Sequence, residues 1–84
     1  MHKNISRIPL GYSKGMYQDE LFGISKTEFN GGKSIKIYAE SLSGNDFISL
    51  NYYMTSKGEI LKPCEMPEEK VRKFLNDVII HIAQ

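Results

Sequence analysis

The sequence has no tryptophan, one cysteine and almost no net charge, with 11 Lys and Arg residues against 10 Asp and Glu residues. The single cysteine, Cys64, excludes an internal disulfide, and no cysteine and histidine cluster has the spacing of a zinc site. The small net charge of +1 excludes a uniform field that would draw the chain to nucleic acid or to a membrane. Any electrostatic contribution to function must therefore be local.

Long hydrophobic runs are also absent. Residues 1–6 lack the apolar segment of a signal peptide, and no later stretch approaches the roughly 20 apolar residues of a membrane-spanning helix. A lone cysteine is typical of proteins that stay in a reducing compartment. We therefore expect a cytoplasmic protein that does not contact membranes.

The length of 84 residues, of which 40% are hydrophobic, suits one domain with one core. We expect this domain to cover residues 1–84. Pro9 and Gly11 interrupt any regular period near the N-terminus, so residues 1–13 are expected to form a loose arm that enters a first short strand near Tyr12.

Two alternating runs between Lys33 and Thr55 predict a β-hairpin. If Gly44 and Asn45 form a two-residue loop, Tyr38 pairs with Asn51 and Lys36 pairs with Tyr53. This register gives the hairpin one polar face with aromatic residues and one core face, which consists of Ile35, Ile37, Ala39, Ile48, Leu50, Tyr52 and Met54.

The preceding segment, Glu20 to Phe29, reads as a strand that ends at Asn30-Gly31-Gly32. A two-residue loop there would bury Phe22 and Ile24, whereas a three-residue loop would bury their neighbours. We favour the two-residue loop because it buries more apolar surface, although it also places Lys26 on the core face.

The C-terminal part predicts a short strand, Glu59 to Lys62, and then a helix that begins near Pro67 and carries an apolar stripe of Val71, Phe74, Leu75, Val78 and Ile82. The fold class is therefore α+β. We expect an antiparallel meander of four to five strands with one C-terminal helix packed on one face.

No catalytic constellation emerges from these elements. Cys64 has no base near it in the sequence, since His2 lies in the arm and His81 lies far along the predicted helix. Adjacent carboxylates on the helix diverge and suit its N-terminal dipole. We expect a non-enzymatic protein without a metal site or a cofactor.

The polar face of the hairpin is the remaining candidate site. Single-stranded nucleic acid stacks its bases on exposed rings at roughly 1–3 kcal/mol each, while basic groups follow the phosphates. Our leading hypothesis is a module that binds single-stranded nucleic acid; the alternative is a protein-interaction or homodimerisation domain that uses the same face or an edge strand. These aromatics could equally serve only to stabilise the sheet. The candidate binding residues are Lys36, Tyr38, Phe47, Asn51, Tyr53 and, opposite Tyr53 if Lys57 and Gly58 form a two-residue loop, Lys62.

The C-terminal part contains four short motifs: Tyr52-Tyr53-Met54, Gly58-Glu59, Lys62-Pro63 and, before the amphipathic helix, Met66-Pro67-Glu68-Glu69. With that helix, they resemble the C-terminal half of the positive-cofactor transcriptional coactivators, to which the Pur-type repeats are similar. The resemblance covers about forty residues and implies a four-stranded sheet followed by a helix, dimerisation, and binding of single-stranded nucleic acid. Only three residues, 64–66, separate Pro63 from Pro67, where the family has a longer connection, and no binding residue is carried over from it.

Overall fold

The computed structural model describes residues 2–81, which form one antiparallel sheet of six strands with helices on one of its faces. The elements in chain order are α1 His2–Ser6, β1 Gly11–Tyr17, β2 Glu20–Phe29, a 3-10 turn Asn30–Gly32, β3 Ser34–Ser41, β4 Phe47–Thr55, β5 Gly58–Pro63, α2 Glu68–Asp77 and β6 Ile79–His81. The predicted α+β class is confirmed, and the sheet has six strands rather than four to five.

Strands β1 to β5 form a meander, and the sheet order is β5-β4-β3-β2-β1-β6. The β1–β2 turn consists of Gln18 and Asp19, whose φ angles of 50° and 63° match the backbone twist of a two-residue hairpin. Strand β6 pairs with the outer edge of β1, so β5 and β6 are the two edge strands of the sheet.

The core lies between the sheet and α2. Phe74 from α2 packs against Tyr17 and Phe22, with ring centroids 5.0 Å and 5.6 Å away. All three rings are buried, and Val71 and Leu75 continue the buried stripe of the helix. The predicted burial of Phe22 and Ile24 is confirmed, but the predicted two-residue loop is wrong: Phe29 pairs with Ser34, so residues 30–33 connect β2 to β3. The even difference in loop length leaves the faces unchanged.

The β3–β4 hairpin has a longer loop than predicted. The Ser41 N–H donates to Asp46 O at 2.9 Å, so residues 42–45 form the loop, and Tyr38 pairs with Ser49 rather than Asn51. Because the register moves by two residues, each side chain keeps its predicted face. Met54 also keeps its predicted face but is not buried, since it lies one residue from the next turn, at the margin of the core, and 43% of it is exposed.

The next turn also differs from the prediction. Thr55 pairs with Gly58, so Ser56 and Lys57 form the two-residue loop rather than Lys57 and Gly58. Lys62 consequently pairs with Asn51, and Tyr53 pairs with Ile60.

The expected loose arm is wrong for residues 2–13. Ile5 and Ile8 are buried in the core, and Lys26 from β2 donates from Nζ to Ile5 O at 2.9 Å and to Ile8 O at 2.8 Å. Burial lowers the pKa of the Lys26 ammonium. This lysine therefore belongs on the core face because it binds the carbonyl groups at the end of α1.

The predicted helix is confirmed at its start and wrong at its end. Helix α2 ends at Asp77, Val78 is extended, and Ile79–His81 pair with β1. Consecutive β-branched residues favour a strand, and the free edge of β1 supplies the partner. His81 therefore lies on a strand, and Ile82 lies outside the described residues. Neither helix in the described part of the chain has the length and apolarity needed to cross a bilayer.

Candidate functional site

The sheet face opposite α1 and α2, here called the open face, carries all six predicted site residues. Residues that pair directly share a face, so Lys36, Asn51 and Lys62 form one row across three strands. Tyr38 lies in the next row, which it shares with Ser49. The structure thus brings both predicted lysines beside Asn51, a row that the predicted register did not contain.

Tyr38 and Phe47 form a stacked pair at the centre of this site. Their ring centroids lie 6.2 Å apart, their planes differ by 29°, and each residue is 38% exposed. They are diagonal neighbours, because Phe47 pairs with Glu40 and Tyr38 pairs with Ser49. The pair therefore offers aromatic surface to a ligand while it supports the sheet.

Three further rings of the open face lie apart from this pair, and one of them, Phe29, pairs with Ser34 at the end of β2 and is 51% exposed. Tyr53, the fifth predicted residue, is half-buried between Ser34 and Ile60 toward the other end of the hairpin. The Tyr12 side chain lies over Gly23, where an added Cβ would clash with its hydroxyl oxygen, and 63% of Tyr12 is exposed. Sequence reasoning missed Tyr12 because it was assigned to the boundary of the loose arm.

Cys64 joins the open face as well. Its N–H donates to Ser49 O at 2.9 Å, and its Sγ accepts from Asn51 Nδ2 at 3.5 Å and from Lys36 Nζ at 4.0 Å. From the sequence, Cys64 was placed only just before the helix, with no face of the sheet assigned to it. The strand alternation that places Lys62 on this face, continued by two residues, would have placed Cys64 there too.

Charge is distributed unequally between the two sides of the sheet. Three lysines, at positions 14, 36 and 62, occupy open-face strand positions, and none of them forms an ion pair within residues 2–81. Glu40 is the only carboxylate at such a position in the described strands. The open face is therefore cationic although the whole chain is nearly neutral.

On the helix side, acidic groups are paired with basic ones. Asp46 accepts from Lys70 Nζ at 2.7 Å and from the Phe47 N–H at 2.9 Å. The hydrogen bond from Lys70 is the main reason that the pKa of Asp46 lies below its usual value. This contact ties the β3–β4 loop to α2 and holds the base of the Tyr38–Phe47 pair in place.

The β3–β4 loop and the ring pair enclose a shallow cavity of about 340 Å³. Within it, the Tyr38 hydroxyl donates to Glu40 Oε2 at 3.5 Å. Gly44, with a φ of 85°, makes the sharp bend of the loop above the cavity. The lining residues are Tyr38, Glu40, Ser41, Gly44, Asn45, Asp46 and Phe47.

The described residues hold no group of three His, Cys, Asp or Glu side chains that could bind a metal ion. Cys64 contacts donors, Asn51 and Lys36, and no hydrogen bond to a histidine is found for it within residues 2–81. The open face offers stacking through its rings, hydrogen bonding through Asn51 and attraction of anions through its lysines. Comparisons of the chain with protein-family models, curated proteins and solved structures find no match, so the resemblance to the coactivators stays a prediction.

Proposed function

We propose that the protein is a non-enzymatic module that binds single-stranded nucleic acid through its open face. The observation that carries this proposal is the exposed, stacked Tyr38–Phe47 pair on a cationic sheet face that neither helix covers. Exposed rings stack on bases of any sequence, and nearby lysines attract the phosphates. The row Lys36–Asn51–Lys62 runs beside the ring pair and supplies both charges and an amide.

The distribution of charge also favours binding at the open face rather than at the helix side. Helix α2 carries three acidic and three basic residues, so it offers a polyanion no net attraction, whereas the open face presents three lysines and one carboxylate. If all three lysines contact phosphates, the logarithm of the affinity should fall with the logarithm of salt concentration with a slope of about −2. We therefore propose weak, salt-sensitive binding, in the cytoplasm.

Fluorescence anisotropy with a labelled short oligothymidine tests this proposal at 50 mM and 200 mM salt. We expect Tyr38→Ser to weaken binding about fivefold to a hundredfold, because one stacking interaction is lost. Lys36→Gln should weaken binding and reduce the salt slope by about 0.7.

Matched control variants lie outside the proposed contacts. Lys73→Gln removes a lysine of the helix side that pairs with Asp77, and Met54→Gln removes an exposed apolar side chain from the helix side of β4. Neither should change the affinity more than about twofold. Absence of binding at the lower salt concentration, or equal losses in the control variants, would overturn the proposal.

The second candidate function is homodimerisation, and a row of apolar residues on the open face favours it. Ile79 pairs with Met16, which pairs with Leu21, and the Leu42 N–H donates to Leu21 O. Ile79 is 66% exposed and Leu42 is 50% exposed. Sedimentation of the wild type as a dimer, and of Ile79→Lys as a monomer, would support this function; a monomeric wild type would exclude it.

A further inference from the structure

We propose that the cavity beside the Tyr38–Phe47 pair selects guanine, with Glu40 as the group that recognises the base. This inference rests on the proposed binding of single-stranded nucleic acid and names the base that occupies one position of that site. It follows from the placement of one carboxylate on a face whose other charged strand residues are lysines.

Glu40 is unfavourably placed for a surface that only follows phosphates. Its carboxylate would repel a polyanion, and no cation neutralises it within residues 2–81. The one hydrogen bond that its side chain accepts there comes from the Tyr38 hydroxyl, at a long 3.5 Å. Most of its acceptor capacity is therefore free for a ligand that donates hydrogen bonds.

The position of Glu40 suits a base that stacks on the ring pair. Glu40 pairs with Phe47 across the sheet and lies two residues from Tyr38, so its carboxylate lies beside both rings. All three residues line the 340 Å³ cavity. This volume is near the lower limit of about 300–1,000 Å³ for small-molecule sites, which suits one base with little else.

The hydrogen-bonding pattern of a carboxylate distinguishes guanine from the other bases. Two carboxylate oxygens accept two parallel N–H bonds, and guanine alone presents two adjacent donors, N1–H and the N2 amino group, on its Watson–Crick edge. Adenine and cytosine each place an acceptor nitrogen beside their amino group, and thymine places carbonyls on both sides of N3–H. The amide of Asn45, which lines the same cavity, supplies a donor for guanine O6.

Anisotropy titrations of oligothymidines that carry a single central dG, deoxyinosine, dA or dC test this inference. Inosine lacks only the N2 amino group, so it reports the second hydrogen bond. We expect the wild type to bind the dG oligomer about fivefold to a hundredfold more tightly than the dA oligomer, with inosine between them. A single guanine also avoids association of the oligonucleotides.

Glu40→Gln should remove the preference for dG and tighten binding of plain oligothymidine, because the repulsion of phosphates is lost. Glu28→Gln removes an exposed carboxylate from the helix side of β2 and is the matched control. It should leave the preference for dG and the affinity for oligothymidine unchanged. Equal affinity for all four oligomers, or a dG preference that survives in Glu40→Gln, would overturn this inference and leave the proposed function intact. Failure of every oligomer to bind would overturn both.

Discussion

Replacing Lys26 with methionine tests how the N-terminal helix is held to the sheet. The Lys26 Nζ donates to Ile5 O and Ile8 O at 2.9 Å and 2.8 Å, and only 7% of the residue is exposed. Methionine has nearly the same length and fills the same space, so the variant removes the ammonium without creating a large cavity. The change in the free energy of unfolding therefore measures the stabilisation by the two hydrogen bonds minus the cost of burying the charge.

Two opposing contributions set the expected magnitude. Each hydrogen bond from a charged donor contributes about 1.5–3 kcal/mol, and the loss of the Lys26 donor to Ile8 O costs about 1–3 kcal/mol more. Ile5 O keeps a donor, because it also accepts from the Ile8 N–H at 3.2 Å. Burial of the ammonium opposes folding, as the lowered pKa of Lys26 shows. We expect Lys26→Met to lower the free energy of unfolding by about 2–4 kcal/mol, a large fraction of the total for a domain of this size.

Urea unfolding, followed by circular dichroism, measures this difference, with Lys33→Met as the control because Lys33 is exposed. The control should change the free energy of unfolding by about 0.5 kcal/mol or less. The unfolded state binds the Lys26 proton more tightly than the folded state, so the advantage of the wild type over Lys26→Met should increase as the pH rises toward 10.5. A variant as stable as the wild type would refute the reasoning, because the hydrogen bonds would then only cancel the cost of burial.

Three further predictions test the two faces of the sheet. Phe74→Ala should cost about 3–5 kcal/mol in urea unfolding and Tyr38→Ala about 1 kcal/mol or less, since the first ring is buried and the second is partly exposed; equal losses would contradict the assignment of the faces. Asp46→Asn should lower the free energy of unfolding by about 0.5 kcal/mol at neutral pH. The difference from the wild type should disappear as the pH falls from 3.8 through the lowered pKa of Asp46, because protonation of Asp46 then breaks its pairing with Lys70. A difference that stays constant with pH would exclude that ion pair. Bound oligonucleotide should slow alkylation of Cys64 severalfold, because its thiol lies beside Lys36 on the open face, and unchanged rates would place the ligand elsewhere.

Side-chain alternation predicts the faces of this sheet better than it predicts the pairing. The β3–β4 register differs from the prediction by two residues, yet Ile37 and Leu50 are buried and Tyr38 remains on the open face. A period of two makes the face insensitive to an even shift. The length of a loop depends on its turn geometry, and the glycine at position 44 is compatible with more than one loop length.

Tertiary contacts explain the two larger errors. The N-terminal helix spans only five residues, which is too short for a periodic signal, and it is held by a lysine 18 residues beyond Ile8. Strand β6 follows directly after α2, and the apolar spacing of Val78 fits either element. Only the free edge of β1 decides that Ile79–His81 form a strand.

The candidate site was predictable where it lies on the hairpin and not where it depends on neighbouring strands. Alternation placed Lys36 and Tyr38 on the open face, but the row that joins Lys36 to Lys62 requires the pairing of β4 with β5. Placing Tyr12 on the open face would have required the pairing of β1 with β2, which the sequence did not predict.

The net charge does not describe the field at one face of the sheet. A value of +1 describes the field far from the molecule, whereas a ligand at one face would lie within a few ångströms of it and would be screened from charges beyond about 10 Å. In this two-layer fold, the open-face strand positions carry three lysines and one carboxylate, while the charges of α2 balance, so one face is cationic although the sum is nearly zero. Glu40 is the one carboxylate among the open-face strand positions of residues 2–81, and it lies beside two exposed rings, so it opposes the attraction of the lysines for an anion. Under the proposed function, it would strengthen binding only where a base donates hydrogen bonds to it.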